Sequence, residues 1–526
     1  MSGLHMDDVA KHNTPDDFWL VIDGEVWDMS KFLKVHPGGK GIVLPYAGKD
    51  ATETFFSLHK ANVLDKYRPK LSKGRIAGSE SKYSQKQAPP QADMPSLEYK
   101  SEVPFAEPAW IRGGGWRSPY HNDTHRAFRD SLRALLHTHI VPTMAEDEES
   151  GSHPTKETYQ AMGLGGLLSS RIGVSCMPVV AEIPEIKLPS GLSPKQFDFF
   201  HEQIAHEEMG ALGYPGVIDG LGAGFCIGLP PMLHFSTPAL RDKVVPEILK
   251  GEKRICLAIS EPSAGSDVAG IQTYCTKSKD GSHYIVNGVK KWITNGVFAD
   301  YFVTACQGPG KGMSLMLIER SEGVGAKPIK TSYSPAAGTA LVTYDDVMVP
   351  VANLLGKENE GFKCVMANFN HERWFICAQC IAGCRLIVKD CMTWGSQRKV
   401  FGKPLMNQPV IRNKLARMVG VVESSYSWLE SITHQMNQMS YKEQNARLGG
   451  PIALLKLQVT RSATMVSDEA CQIFGGRAIT KTGMGGNVER FQRTFKFGSI
   501  LGGSEEIMAD LGIRQAMRDM PAHARL

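Results

Sequence analysis

The period of the hydrophobic positions changes along this chain, and each change marks an element or a boundary. Near the start, Phe18-Trp19-Leu20-Val21-Ile22 and Val26-Trp27 flank Asp23-Gly24, a pattern that predicts strand, turn and strand. Between Ser79 and Leu97 large apolar residues thin out while Pro, Gln, Ser and Lys take over, so a linker is predicted over 79–98. As a flexible coil that segment would typically span about 25 Å. Helical spacing follows, as in Phe128, Leu132, Leu135 and Leu136, and in Phe199 and Ile204. From residue 253 the pattern turns to short β-rich runs, and Asn287-Gly288 inside Tyr284–Ile293 predicts a tight hairpin. Helical spacing returns from 362 to the end.

The expected organisation is therefore α+β and multidomain: a small domain over 1–78, the linker over 79–98, a helical domain over 99–252, a β-barrel or sheet domain over 253–361, and a four-helix-type domain over 362–526. At 526 residues the chain is long enough for three or four folding units of roughly 150 residues each. With 42% hydrophobic and 21% charged residues it reads as globular, not disordered. No run of about 18 consecutive apolar residues suggests an integral membrane span. Lys+Arg 59 against Asp+Glu 54 leaves a net charge of +5 without a long basic run, which argues against nucleic acid as a partner. The 11 cysteines sit mostly in apolar stretches, as reduced thiols do. Cys377, Cys380, Cys384 and Cys391 fall at helical spacing and read as a buried stripe, not as metal ligands. The acidic N-terminus lacks the pattern of a targeting leader. The C-terminal Ala524-Arg525-Leu526 resembles a peroxisomal address, with a cytoplasmic location as the alternative.

His36-Pro37-Gly38-Gly39 and the later His59 place two imidazoles at loop-linked helix ends, where both could ligate one iron while the Pro-Gly-Gly turn lets the backbone approach a porphyrin edge. An iron with both axial positions filled favours electron transfer over oxygen activation. With the strand-turn-strand before them, residues 5–78 resemble a cytochrome b5 domain, which implies haem b held by His36 and His59.

Further on, Leu257–Asp267 gathers hydroxyls, small residues and free amides into one loop, including Ser260, Gly265 and Ser266. Trp292-Ile293-Thr294-Asn295 offers an aromatic face and a hydroxyl suited to a flavin ring. Gln397–Pro404 contains Arg398, a fork for pyrophosphate, and Gln472–Gly476 contains a Gly-Gly pair that allows close backbone approach. In this order, over 100–526, the motifs resemble the acyl-CoA dehydrogenase family. The resemblance implies FAD bound by Ser260, Ser266, Trp292 and Thr294 of one subunit and by Arg398, Phe401, Gln472 and Gly476 of a neighbour, hence a homodimer or homotetramer. Ser504 and Glu506 are expected near the cofactor. One departure is that Pro409 precedes Val410-Ile411 where the family usually has Gln, with Gln408 one position early.

Abstracting a proton α to a thioester while hydride leaves the β carbon requires a carboxylate on the face opposite the flavin. Many members of the family carry it in a C-terminal Glu-Gly segment, but here Gly502 stands at that place within Leu501–Glu506. A minority carry Glu immediately before Arg on a long helix, which points to Glu372 as the base, with Arg373 ordering the site. Gly502 would keep its backbone N–H for the thioester oxygen. The reading is an acyl-CoA dehydrogenase that forms an α,β-double bond and passes electrons singly to the fused haem and on to a one-electron redox partner. Two alternatives stay open: an oxidase in which oxygen, not haem, reoxidises the flavin, or a nitroalkane-oxidase-like enzyme, and a non-catalytic acyl-CoA-binding electron carrier.

Overall fold

The computed structural model describes residues 4–56, 58–59, 62–79, 81, 101, 103–112 and 116–524. The expected linker lies almost wholly outside them, as do Arg525 and Leu526 of the C-terminal tripeptide. The chain forms two compact units. The small one comprises 1–98, 390–413 and 471–489, and the large one comprises 99–389, 414–470 and 490–526.

In the small unit, four antiparallel strands, β1 (Asn13–Thr14), β2 (Asp17–Ile22), β3 (Glu25–Asp28) and β4 (Ser72–Arg75), pair in the order β1-β2-β3-β4. The strand-turn-strand pattern is realised, with Asp23 (φ 52) and Gly24 (φ 71) in the left-handed turn between β2 and β3. Phe18, Leu20, Ile22 and Trp27 form a core with Leu33 from the turn after β3 and with Phe56 and Leu64 from the helices that follow. Over Lys399–Val400 and Lys403–Pro404, β13 and β14 make a separate two-stranded hairpin in this unit.

In the large unit, an eight-stranded sheet is built from β5 (Ile255–Ala258), β6 (Tyr274–Lys277), β7 (His283–Ile293), β8 (Tyr301–Gln307), β9 (Met313–Glu319), β10 (Val324–Pro328), β11 (Ala340–Pro350) and β12 (Leu354–Leu355). Its order is β10-β11-β7-β6-β8-β9-β12, with β5 added parallel to β8. The sheet does not close, so the barrel alternative is set aside.

The predicted Asn287-Gly288 hairpin is not formed. Both residues lie inside the 11-residue β7, laddered to β6 on one edge and β11 on the other. The glycine is needed for approach instead of turning: Gly288 has φ +148, and a Cβ there would come 2.6 Å from Thr273 Cα. Opposite it β11 bulges between Tyr344 and Val347, where Asn287 Nδ2 donates to Asp346 Oδ1 (2.9 Å).

The helices that bear on the site are α1 (Asp123–His139), α2 (Phe199–Ala211), α3 (Gly361–Gln397), α4 (Pro409–Gln438), α5 (Gly449–Phe474) and α6 (Glu505–Asp519). The last four account for the four-helix expectation. The cysteine stripe lies on α3, with Cys377, Cys384 and Cys391 buried. Among the described residues the stretch Pro215–Phe235 is long and apolar enough to cross a membrane, with mean hydropathy 1.4, but 83% of it is buried inside the protein, as in a core helix.

Candidate active site and haem cleft

In the small unit, His36 sits ahead of the short helix Lys40–Val43, and His59 follows the helix Thr52–Phe56. Gly39 (φ 74) makes the left-handed entry to the first helix, and a Cβ on Gly38 would press within 3.0 Å of His36 Cε1. The two imidazole centroids are 6.2 Å apart. Two metal–nitrogen bonds of about 2 Å each, plus the reach from each nitrogen to its ring centre, come to roughly 6 Å, so the pair fits one iron between them. Around them is an apolar cleft of about 230 Å³ that includes Phe32, Ile42, Leu58, Val63 and Tyr67. Burial, with smaller effects of His36 and Arg477, lowers the His59 pKa and favours the neutral imidazole, the ligating form.

In the large unit, Glu372 lies on α3 with 6% of its surface exposed. Burial raises its carboxyl above the ordinary carboxylate value, partly offset by Arg373, Lys456 and His371. The turn before α6 lies against it. Gly502 (φ +64) has no side chain, and a Cβ there would be 3.3 Å from Glu372 Oε1 and 3.1 Å from Ile376 Cδ1. Two buried cations hold this turn by its carbonyls: Arg373 Nε donates to Gly502 O (2.9 Å) and Lys456 Nζ donates to Gly503 O (2.7 Å). Lys456 was missed in the sequence, where a lysine on a helix reads as solvated. Ser504 caps α6, its Oγ accepting from Ile507 N (3.4 Å), whereas Glu506 is exposed and Glu505 is buried against Arg461 (2.9 Å).

The residues expected around the flavin fall in both units. In the large unit, Ser260 is half-buried and Gly265 and Ser266 are exposed on the loop after β5. The loop is fixed by an ion pair that sequence reading missed: Lys290 Nζ donates to Glu261 Oε1 (2.8 Å) and to Ile259 O (2.9 Å), and Glu261 also accepts from Thr273 N (2.9 Å). Burial opposes ionisation of Glu261, but the bonds from Lys290, Thr273 and Gln272 outweigh it and hold the carboxyl below its ordinary value. At the end of β7, Ile293 is buried, Trp292 is exposed, and Thr294, in the turn just beyond the strand, is half-buried. Trp292 is 54% exposed at φ 67, an outlier for a bulky residue of the kind that persists at ligand sites. Asn295 anchors this corner, its Nδ2 donating to Asp219 O (2.8 Å) and Ala337 O (2.9 Å) and its Oδ1 accepting from Gly224 N (2.8 Å). Lys291 Nζ lies 4.6 Å from the centre of the Trp292 ring, and the exposed remainder of the indole together with these hydroxyls fits a flavin.

In the small unit, Arg398, Gln472 and Gly476 are exposed, and Phe401, at φ 49, is 94% exposed. A cation, an amide and a bare aromatic ring are thus presented outward, as expected of groups offered to another molecule. His125, Asp198 and His201 form a third cluster in the large unit, with ligand atoms within 4.8 Å of one another. Asp198 Oδ1 caps α2 by accepting from Phe200 N and His201 N (3.0 Å each), His125 Nδ1 accepts from Asn122 N (3.1 Å), and both imidazoles also meet the carboxylate, His125 Nε2 at 3.1 Å and His201 Nδ1 at 2.8 Å.

The chain matches family models for the cytochrome b5-like haem/steroid binding domain over residues 5–77, the acyl-CoA dehydrogenase middle domain over 256–347 and the acyl-CoA dehydrogenase C-terminal domain over 359–517. It is 37% identical over 425 residues to acyl-CoA dehydrogenase apdG of Emericella nidulans, covering 80% of this chain and 96% of that protein. It is 36% identical over 434 residues to acyl-CoA dehydrogenase AFT10-1 of Alternaria alternata, covering 81% and 98%. The structure of an acyl-CoA dehydrogenase from Geobacillus kaustophilus matches with a TM-score of 0.66 at 26% identity, covering 77% of this chain and 100% of that one. The cofactors that go with these domains are FAD and haem b, and the residues fit both. This chain belongs to the acyl-CoA dehydrogenase family and carries an N-terminal cytochrome b5-like domain.

Proposed function

We propose that this protein forms an α,β-double bond in an acyl-CoA thioester, with Glu372 taking the α proton. The observation that carries the reading is the position of the Glu372 carboxyl, 3.3 Å from where a Gly502 side chain would begin. Burial holds the carboxyl at a raised pKa, suited to accepting a proton from carbon. The Gly502 N–H, on a turn tied down by Arg373 and Lys456, is a donor for the thioester oxygen as negative charge develops there. FAD, held by Ser260, Ser266, Trp292 and Thr294, supplies hydride acceptance. Haem b on His36 and His59 supplies a one-electron acceptor, and an external one-electron partner completes the relay. Arg398, Phe401, Gln472 and Gly476 serve the flavin of a second copy, which makes the enzyme a homo-oligomer.

Glu372→Gln tests the reading. Flavin bleaching by acyl-CoA should fall by about 10²–10⁴ while FAD content and the haem spectrum stay unchanged. Because the acid must be ionised to act, bleaching by the native enzyme should speed up as pH rises through the raised carboxyl pKa. Bleaching of Glu372→Gln at the native rate would overturn the assignment.

A further inference from the structure

Within the small unit, the haem-binding residues share a cluster with segments distant in sequence. The helix Thr52–Phe56 carries Phe55, whose ring centroid is 4.9 Å from that of His59, and Glu53, whose carboxylate is 2.9 Å from Lys399 Nζ. Lys399 opens the β13–β14 hairpin. Arg477, on the turn Gly475–Ile479, places its guanidinium 5.0 Å from the ring of Trp394, which in turn stacks on Phe474 at 5.5 Å. The carbonyl of Trp394 accepts from Arg398 N (2.9 Å) at the end of α3, just before the hairpin. Lys399 thus meets the haem domain at Glu53, beside the residues that the proposed function gives to the flavin.

We propose that the β13–β14 hairpin forms an electrostatic docking seat for the haem domain, through which electrons reach the iron, with Lys399 as the positioning residue. This rests on the flavin-to-haem relay proposed above. The flavin, reduced by two electrons, would give them to ferric haem one at a time, the second from flavin left one-electron reduced, and the two hydrogens taken from the acyl-CoA would leave as protons to water. The second electron follows once an external one-electron oxidant, such as ferricyanide, has reoxidised the iron. The Glu53 and Lys399 side chains are 83% and 63% exposed, so their attraction is weak and screened by salt.

The test uses full-length holoenzyme in anaerobic stopped flow, with the acyl-CoA that bleaches the flavin fastest. Glu53→Lys should slow the haem phase by at least about threefold at low salt, while Glu53→Lys combined with Lys399→Glu should restore it. Flavin content and the bleaching phase should be the same in all three proteins, and raising the salt should slow the native haem phase toward that of Glu53→Lys. Independently of turnover, a zero-length carbodiimide should link Glu53 to Lys399 at low salt and not at high salt, as read by mass spectrometry. A haem phase as fast in Glu53→Lys as in the native enzyme, or no cross-link, would overturn the seat. A cross-link with flavin bleaching but no haem reduction would overturn the relay and leave the seat standing.

Discussion

Gly502 illustrates how a missing side chain can define a site. Its φ of +64 is one that only glycine adopts freely, and the space a Cβ would enter is bounded by Glu372 and Ile376. Gly502→Ala should therefore cost about 1–3 kcal/mol in the stability of the large unit, from backbone strain and overpacking together. Because the added methyl displaces the Glu372 carboxyl, turnover should fall further than stability does, with the haem spectrum unaltered. Paired thermal melts and acyl-CoA bleaching rates check this, and an alanine variant that keeps full turnover would show that Glu372 tolerates the crowding. Glu372-Arg373 and Gly502, which lie together in the structure, could be singled out in the sequence because each stands in a short local pattern. Lys456 was not, because what marks it is a bond to Gly503, 47 positions away, and burial among α3, α5 and the turn before α6.

Elements set the reach of these residues, and β7 shows where local propensity loses to pairing. Asn-Gly favours a two-residue turn, but here it is overridden by ladders on both edges of an 11-residue strand and by the close pass of Thr273. The flavin motifs were readable as residue types, whereas the clamp that orders their loop was not. Lys290 and Glu261 are 29 positions apart and meet only when β7 passes behind the loop after β5. Removing one partner leaves an uncompensated buried charge, so Lys290→Met should destabilise the large unit by about 3–5 kcal/mol. Adding Glu261→Gln should recover part of that loss, since no naked charge then remains. Denaturant unfolding with FAD content measured alongside checks both. A single variant as stable as the native protein would mean that the pair orders nothing.

Taken as a folded entity, the large unit buries several acids whose protonated forms are favoured. Burial pushes Glu207, on α2, to about 8, and Asp219 and Glu430 each to about 7. In the unfolded chain Glu207 returns toward 4.5, so between 4.5 and about 8 the folded state binds the extra proton. Its contribution to stability is therefore full below 4.5, falls as pH rises through that window, and is lost above it. Glu207→Gln removes this descent. The melting temperature of the variant should drop less than that of the native protein between pH 5 and pH 8, a comparison for scanning calorimetry, and parallel profiles would reject it. Many α-helical enzymes place such acids on the surface. Here the polar face of α2 is interior, which hydrophobic periodicity does not reveal.

The crowding at Gly502 also constrains how this enzyme could have diverged. A glutamate restored there while Glu372 persists would force two carboxyls into one dry space, where one must stay protonated and neither can sit correctly. With Glu372 where it lies here, position 502 therefore has no room for a second acid, whichever of the two were to take the proton.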